Sequence, residues 1–403
     1  MTPTLYLTRN GLLEPLGQSQ VKSYLKGISQ DYQITLITFE KPEDMANIQA
    51  MVKAKAECES HGIDWRPKSF RRSPKLVAPA WSMFEMFWSA YKAARAGDAQ
   101  LIHARSYLPA AAAWAVFRLT GTPFIFDMRA LWPEELITAG RLQRGSIVHK
   151  ILTRLEKVCL RDAAAVVSLT NAAVRYLRDQ YPTDLQRQRI AVIPTCADLQ
   201  RFNRSDKPPS ERVYGCVGTL LSGWFLLDWL AAFFSTVAQK DPEAQFEVVT
   251  RDDAETVRAA LDIDGNLCDR LSIFPSASES VHEALQKHST SVMFFTDGTS
   301  KLGSAPTRLG EALGCGVPVL ANEGVGDVAN IIRQNNVGVI VKDGSEASMA
   351  LALDELETLQ SDPDLPSRCR KAAEEVFSLE VGTKAYHKLY ANILGHPEAA
   401  PTV

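Results

Sequence analysis

Asp297 to Asp327, DGTSKLGSAPTRLGEALGCGVPVLANEGVGD, is the stretch on which the reading of this chain turns. Just ahead of it, Ser291 to Phe295 (SVMFF) has the length and unbroken apolar character of a buried strand. A loop rich in glycine and hydroxyl residues follows. Pro306 then stands where a first helical turn would begin, with Thr307 to Leu313 continuing the helix and Val317 to Ala321 forming the next strand. Proline suits that position because it has no N–H to leave unpaired and its φ is already helical. Ser304 is the candidate N-cap. The free N–H groups of such a turn, with the positive end of the helix dipole, form an anion site. Lys301 and Arg308 add positive charge. Glu311, one turn in, can accept hydrogen bonds from vicinal hydroxyls such as those of a ribose. Strand, phosphate-sized loop and acid together suggest a nucleotide site. The same residues also suit an ordinary capped strand–helix unit.

A chain of 403 residues can bury two substantial cores. Its 46% apolar and 23% charged residues are ordinary for a globular protein. The net charge of -3 hides an asymmetry. Residues 1–200 carry 26 Lys and Arg against 18 Asp and Glu, +8, which leaves 18 against 29, -11, for residues 201–403. A basic front half suggests an anionic partner such as a membrane surface or a phosphorylated acceptor. The seven cysteines are scattered, without a C-x-x-C pair, as reduced thiols of a cytosolic protein would be. No signal peptide is visible, and no stretch is long and apolar enough to span a bilayer.

Thr4 to Thr8 begins a series of short apolar strands alternating with helices, which argues for a parallel sheet covered on both faces. The first strand leads into the turn-rich loop Arg9 to Gln18 and a helix near Ser19 to Ser29, without a G-x-G-x-x-G fingerprint. Further strands are expected at 33–39, 63–70, 100–105 and 122–127. The last two end in His103, Arg105, Asp127 and Arg129, beyond the carboxyl ends of strands, where open α/β sheets bind ligands. A lone histidine is commonly structural, whereas a carboxylate at the end of a buried strand invites a functional account. Residues 66–75 (RPKSFRRSPK) are basic and acid-free, and Ala80 to Tyr91 supplies five aromatics and two methionines. That pairing suits either a helix on a membrane interface or a helix packed on the sheet.

Three segments resemble glycosyltransferase family 4, whose fold is GT-B. Glu311-Ala-Leu-Gly-Cys-Gly-Val-Pro-Val319 is similar to the second half of that family's Glu-(seven residues)-Glu signature, but Gly303 stands where the first glutamate should be. Residues 126–135 (FDMRALWPEE) resemble a segment of bacterial polysaccharide glycosyltransferases, and residues 193–202 (IPTCADLQRF) resemble the run that ends the family's first domain. The resemblance implies two Rossmann-like domains facing across a cleft: an acceptor-side domain over 1–203, a nucleotide-sugar domain over 212–378, and a terminal helix over 379–395 returning to the first. It implies Gly17, His103 and Arg105 on the acceptor side and Asp127 and Arg129 as catalytic. It also implies Gly218, Thr219, Lys301, Ser304, Pro306, Thr307, Arg308 and Glu311 around the donor.

The implied reaction is retaining transfer of a sugar from a nucleotide sugar to a glycan or lipid-linked acceptor in surface polysaccharide biosynthesis. No metal, further cofactor or nucleic acid is expected, and D-x-D matches at 262–264 and 362–364 read as solvated acids. The implied location is cytoplasmic, on the inner face of the membrane through residues 66–95. One departure is larger than the others. The family often has an arginine after Gly218 and a lysine soon after, which clamp the donor diphosphate, whereas this chain has Thr219 and no lysine until Lys240. With Gly303, this favours a rival reading: a non-catalytic subunit that keeps the fold and binds a partner or nucleotide. A nucleotide-sugar epimerase of related architecture is a second rival.

Overall fold

The computed structural model describes residues 1–71, 77–205, 212–263, 265–277 and 279–395. The chain divides into two compact units, Met1–Pro194 with the chain from Gly382 onward, and Thr195–Val381.

The first unit is built on seven parallel strands: β1 (Thr2–Thr8), β2 (Tyr32–Glu40), β3 (Ile63–Ser69), β4 (Leu101–Arg105), β5 (Phe124–Asp127), β6 (Ala165–Ser168) and β7 (Ile190–Val192). Their order is β3-β2-β1-β4-β5-β6-β7. The central strands β4 and β5 are buried along their whole length, as helices on both faces of a parallel sheet require. The order reverses between β1 and β4, and the register pairs Tyr6 with His103, Thr8 with Arg105, and Arg105 with Asp127. Successive side chains alternate faces, so Tyr6, His103, Arg105 and Asp127 share one face.

The second unit has six parallel strands: β8 (Val213–Val217), β9 (Gln245–Val249), β10 (Leu271–Phe274), β11 (Thr290–Met293), β12 (Val319–Asn322) and β13 (Gly338–Val341). Their order, β10-β9-β8-β11-β12-β13, reverses between β8 and β11. Two apolar clusters pack on it. One holds Phe233, Phe234 and Leu353, the other Leu309, Leu313 and Phe377. Gly310 is required in the second cluster, because a Cβ there would lie 2.7 Å from the Phe377 ring.

One expectation changes. Residues after Pro194 pack with the second unit: Thr195 Oγ1 donates to the Ala305 carbonyl at 2.9 Å, and Arg370 Nη1 donates to the Leu199 and Phe202 carbonyls at 3.0 Å each. The first unit therefore ends at Pro194 rather than at 203. Leu365–Phe377 and Leu379–Leu394 are separate helices, because Ser378 is extended (ψ 142°). The Phe377 carbonyl accepts from Ala197 N–H at 2.8 Å, and Ser378 Oγ caps Val381 N–H at 3.1 Å. Residues 206–211 between the two expected domains, residues 72–75 of the basic run, Asp264 and the residues from 396 lie outside the described residues.

Candidate functional site

In the first unit the end of β5 carries a buried charge cluster. Asp127 is fully buried, and its carboxylate lies 3.5 Å from Arg105 Nη1, 3.4 Å from Arg129 Nη1 and 3.3 Å from His103 Nε2. Tyr386, from the C-terminal helix, donates its hydroxyl to Oδ2 at 3.2 Å. His103 Nδ1 meets the Tyr390 hydroxyl at 2.7 Å. The two cations and the histidine hydrogen bond hold the Asp127 carboxyl well below the usual carboxylate range, although burial alone would raise it. Burial pushes the His103 pKa down, so the ring is neutral, with Nε2–H donating to Asp127 and Nδ1 accepting from Tyr390. Tyr6, whose ring lies 4.3 Å from that of His103 at a tilt of 38°, has its pKa pushed up to about 12 by burial. With one carboxylate between two guanidiniums, the cluster keeps a positive excess. Arg129 reaches it from a left-handed backbone position, φ +55°.

The resemblance made Asp127 and Arg129 catalytic and put His103 and Arg105 beside a ligand. The structure brings all four together but buries the carboxylate among its own domain's side chains, so no atom of Asp127 is open to a substrate. Gly17 is also buried. A Cβ on it would overlap the Gly11 carbonyl at 2.1 Å, so the glycine serves close packing of its own loop. That loop is anchored by Glu40, which sequence reasoning missed. Glu40 accepts from Leu12 N–H at 2.7 Å, Leu13 N–H at 3.3 Å and Thr38 Oγ1 at 2.5 Å. An acid ending a long buried strand is the only signal the sequence carries for it.

An open cavity of about 340 Å³ lies beyond the carboxyl ends of β1 and β4, where the strand order reverses. Arg9 and Asn10 line it from the β1 side, Ser106 and Tyr107 from the β4 side, with Lys41, Phe70 and Trp132 around them. Sequence reading placed a ligand at this end of the sheet but named none of these side chains as site residues.

In the second unit the loops after β8 and β11 meet at the other reversal. Thr296 N–H donates to the Trp224 carbonyl at 2.9 Å, and Asn322 clamps Phe295 by two 2.8 Å bonds, one to its N–H and one to its carbonyl. Lys301 is buried, with its ammonium 2.9 Å from the centre of the Trp224 ring. Phe225 covers Gly218, where a Cβ would lie 2.5 Å from the ring. The helix Thr307–Gly314 follows, with Pro306 one position before it at ψ 120°. Pro306 is therefore the cap residue itself, and Ser304 belongs to the turn ahead, its N–H donating to the Lys301 carbonyl at 3.0 Å. Glu311 is buried and ion-paired with Arg308, three residues back on the same face. Thr219 follows Gly218 in the loop after β8. The expected donor residues thus come from the two strand ends that flank the reversal and from the helix that starts there.

Residues 23–196 match the family described as a glycosyl transferase 4-like domain, and residues 211–358 match the family described as glycosyl transferases group 1. No curated protein matches the sequence. Among solved structures, sucrose-phosphate synthase from Thermosynechococcus elongatus superposes with a TM-score of 0.69 at 17% identity, covering 98% of this chain and 100% of that one. Anabaena HepE in complex with UDP and glucose gives 0.65 at 15% identity, covering 97% and 100%. WaaG, a glycosyltransferase involved in lipopolysaccharide biosynthesis, gives 0.60 at 13% identity, covering 97% and 99%. At such identities the likeness is one of fold.

Proposed function

Because the chain belongs to the glycosyltransferases of the GT-B fold, we propose that it moves a sugar, with retention, from a uridine-diphosphate sugar to a glycan or lipid-linked acceptor. The observation that carries this is the meeting of the loops after β8 and β11 at the head of the helix Thr307–Gly314, with Lys301 buried beside it. The departing diphosphate needs preorganised positive charge, and a helix N-terminus with a desolvated lysine supplies it. Arg308 completes the charge, and Glu311 holds the ribose hydroxyls. UDP is favoured because HepE, of the same fold, has been crystallised with it. Asp127 acts as a positioning residue: it fixes Arg105, Arg129 and the C-terminal helix. The site needs no metal in this reading. Titration calorimetry tests it: UDP should bind, and Glu311→Gln should weaken it about tenfold to a hundredfold, the worth of a charged hydrogen bond. Absence of UDP binding sinks the reading, and tighter binding of GDP changes the base.

One observation favours a non-catalytic variant of the same reading. Trp224 already occupies the face of Lys301, Phe225 covers Gly218, and Thr219 stands where the family often has an arginine. Turnover with a panel of nucleotide sugars separates the two.

The working place would be the inner face of a membrane carrying anionic lipid. No helix among the described residues is long and apolar enough to cross a bilayer. Trp81, Phe84 and Trp88, spaced three and four apart on the helix Val77–Ala96, are 42%, 55% and 45% exposed. Arg71 lies 5.0 Å over Trp81 and Lys92 5.2 Å over Trp88. Aromatic rings beside cations suit the headgroup layer, where each basic residue contributes on the order of 1 kcal/mol. Liposome sedimentation should require anionic lipid and weaken with salt; equal binding to neutral vesicles removes the electrostatic argument.

A further inference from the structure

The cavity between β1 and β4 has a composition that sets the class of its ligand. Arg9 is its most telling member. Its Nε is buried without a hydrogen-bond partner among the described residues, and its guanidinium sits 4.9 Å over the Phe70 ring. Burial lowers its pKa, so its charge lies in a poorly solvated place that an anion would improve. Lys41 brings a second cation, ion-paired at 3.4 Å with Glu14, whose carboxylate also lines the cavity, so the two arginine and lysine charges outnumber it by one. Ser106 adds a hydroxyl that makes no capping bond within its helix, and it holds φ at +78°, where a residue with a side chain is strained. Behind it in sequence, Arg105 belongs to the cluster whose charge is in positive excess. The helix Tyr107–Thr120 begins at the cavity wall, with the N–H groups of Tyr107 and Leu108 in its first turn. Phe70, Tyr107 and Trp132 supply flat apolar surface. At about 340 Å³ the space is at the small end for ligand pockets and suits one sugar unit.

We propose that this cavity takes an acceptor unit bearing an oxyanion, a phosphate or a carboxylate, held by Arg9, Lys41 and Ser106 while its sugar ring lies against Phe70, Tyr107 and Trp132. This rests on the reading of the first unit as the acceptor side and narrows the acceptor from any glycan to an acidic one.

The experiment is calorimetry on the full chain with glucose, glucuronate and glucose 6-phosphate, in the presence of saturating UDP so that the donor site is filled. Both acidic probes are expected to bind at least about tenfold more tightly than glucose, the value of one charge-assisted hydrogen bond. Whichever acid binds tighter identifies the group as carboxylate or phosphate. Arg9→Gln should remove that preference, Arg9→Lys should keep part of it, and Lys41→Gln, at a more exposed position, should reduce it without disturbing the fold. Equal affinity for glucose and both acids overturns the proposal, as does an acid preference that survives Arg9→Gln. UDP titrated alone into the same samples separates this from the donor reading. If UDP binds while the acids show no preference, the cavity proposal fails and the donor site stands. If UDP fails to bind while the acids, titrated without it, show the Arg9-dependent preference, the donor reading fails and the cavity proposal stands.

Discussion

The two units use the same device, a parallel sheet whose strand order reverses once, and finish it in opposite ways. In the first unit the reversal between β1 and β4 leaves an open cavity, and the strongest charges are sealed on the sheet face behind it, around Asp127. In the second unit aromatic side chains close on the reversal between β8 and β11. Phe225 lies over Gly218 and Trp224 over Lys301. Backbone geometry sets where a ligand can sit, and it does so equally in both. What differs is whether side chains from the adjoining loops fill that place. A charged residue near such a reversal is therefore a candidate for binding only once its partners are known: Asp127 has four, all from its own unit.

The largest effect should come from breaking the sealed cluster. Asp127→Ala leaves two guanidiniums without their counter-charge, and loss of one partner from a buried ion network costs about 3–5 kcal/mol. Urea unfolding should register that loss, while UDP affinity per folded molecule stays unchanged. The cluster also carries a pH signature. The folded Asp127 pKa is depressed, so its contribution is complete above the unfolded value of about 3.9 and is lost as pH falls below that toward the folded one. Asp127→Asn should flatten that part of the acid-unfolding profile. A variant with wild-type stability would mean that the cluster does not hold the first unit together.

Lys301→Met tests the second unit in the converse way. In the proposed donor site this buried lysine meets the diphosphate, so its loss should weaken UDP binding roughly tenfold to a hundredfold with little change in stability. Unchanged UDP affinity would mean that Trp224 is its lasting partner and that the closed reversal stays closed.

Ser106→Gly probes strain at the open reversal. Glycine accepts φ +78° freely, so the variant should gain on the order of 1 kcal/mol, read as a higher thermal midpoint. No gain would indicate that the backbone is relaxed there. The smallest effect is expected for the ion pair on the helix Thr307–Gly314. Arg308→Gln should change stability by less than about 0.5 kcal/mol, since a partly exposed pair three residues apart is worth little. If the same change lowers UDP affinity several-fold, the arginine serves the ligand more than the helix.

The sequence by itself determined the alternation of strand and helix, because apolar strands between amphipathic helices write their own period. It located the strand ends at which the Asp127 cluster and the open cavity lie, since those strands terminate in polar residues. It also marked the loop before Thr307, through a proline and a run of glycine and hydroxyl residues. Tertiary structure alone decided the rest. The break at Ser378 depends on Ala197, far away in sequence, whose N–H takes the Phe377 carbonyl. The burial of Asp127 depends on Tyr386 and on two arginines, one of which is turned toward it by a left-handed backbone. The cavity at Arg9 exists because two loops, nearly a hundred residues apart, flank one gap between strands. Local periodicity reports which residues are apolar and how often they recur. Whether a charge is sealed, paired or open depends on side chains brought to it by distant segments, and their identity is not encoded in its own neighbourhood.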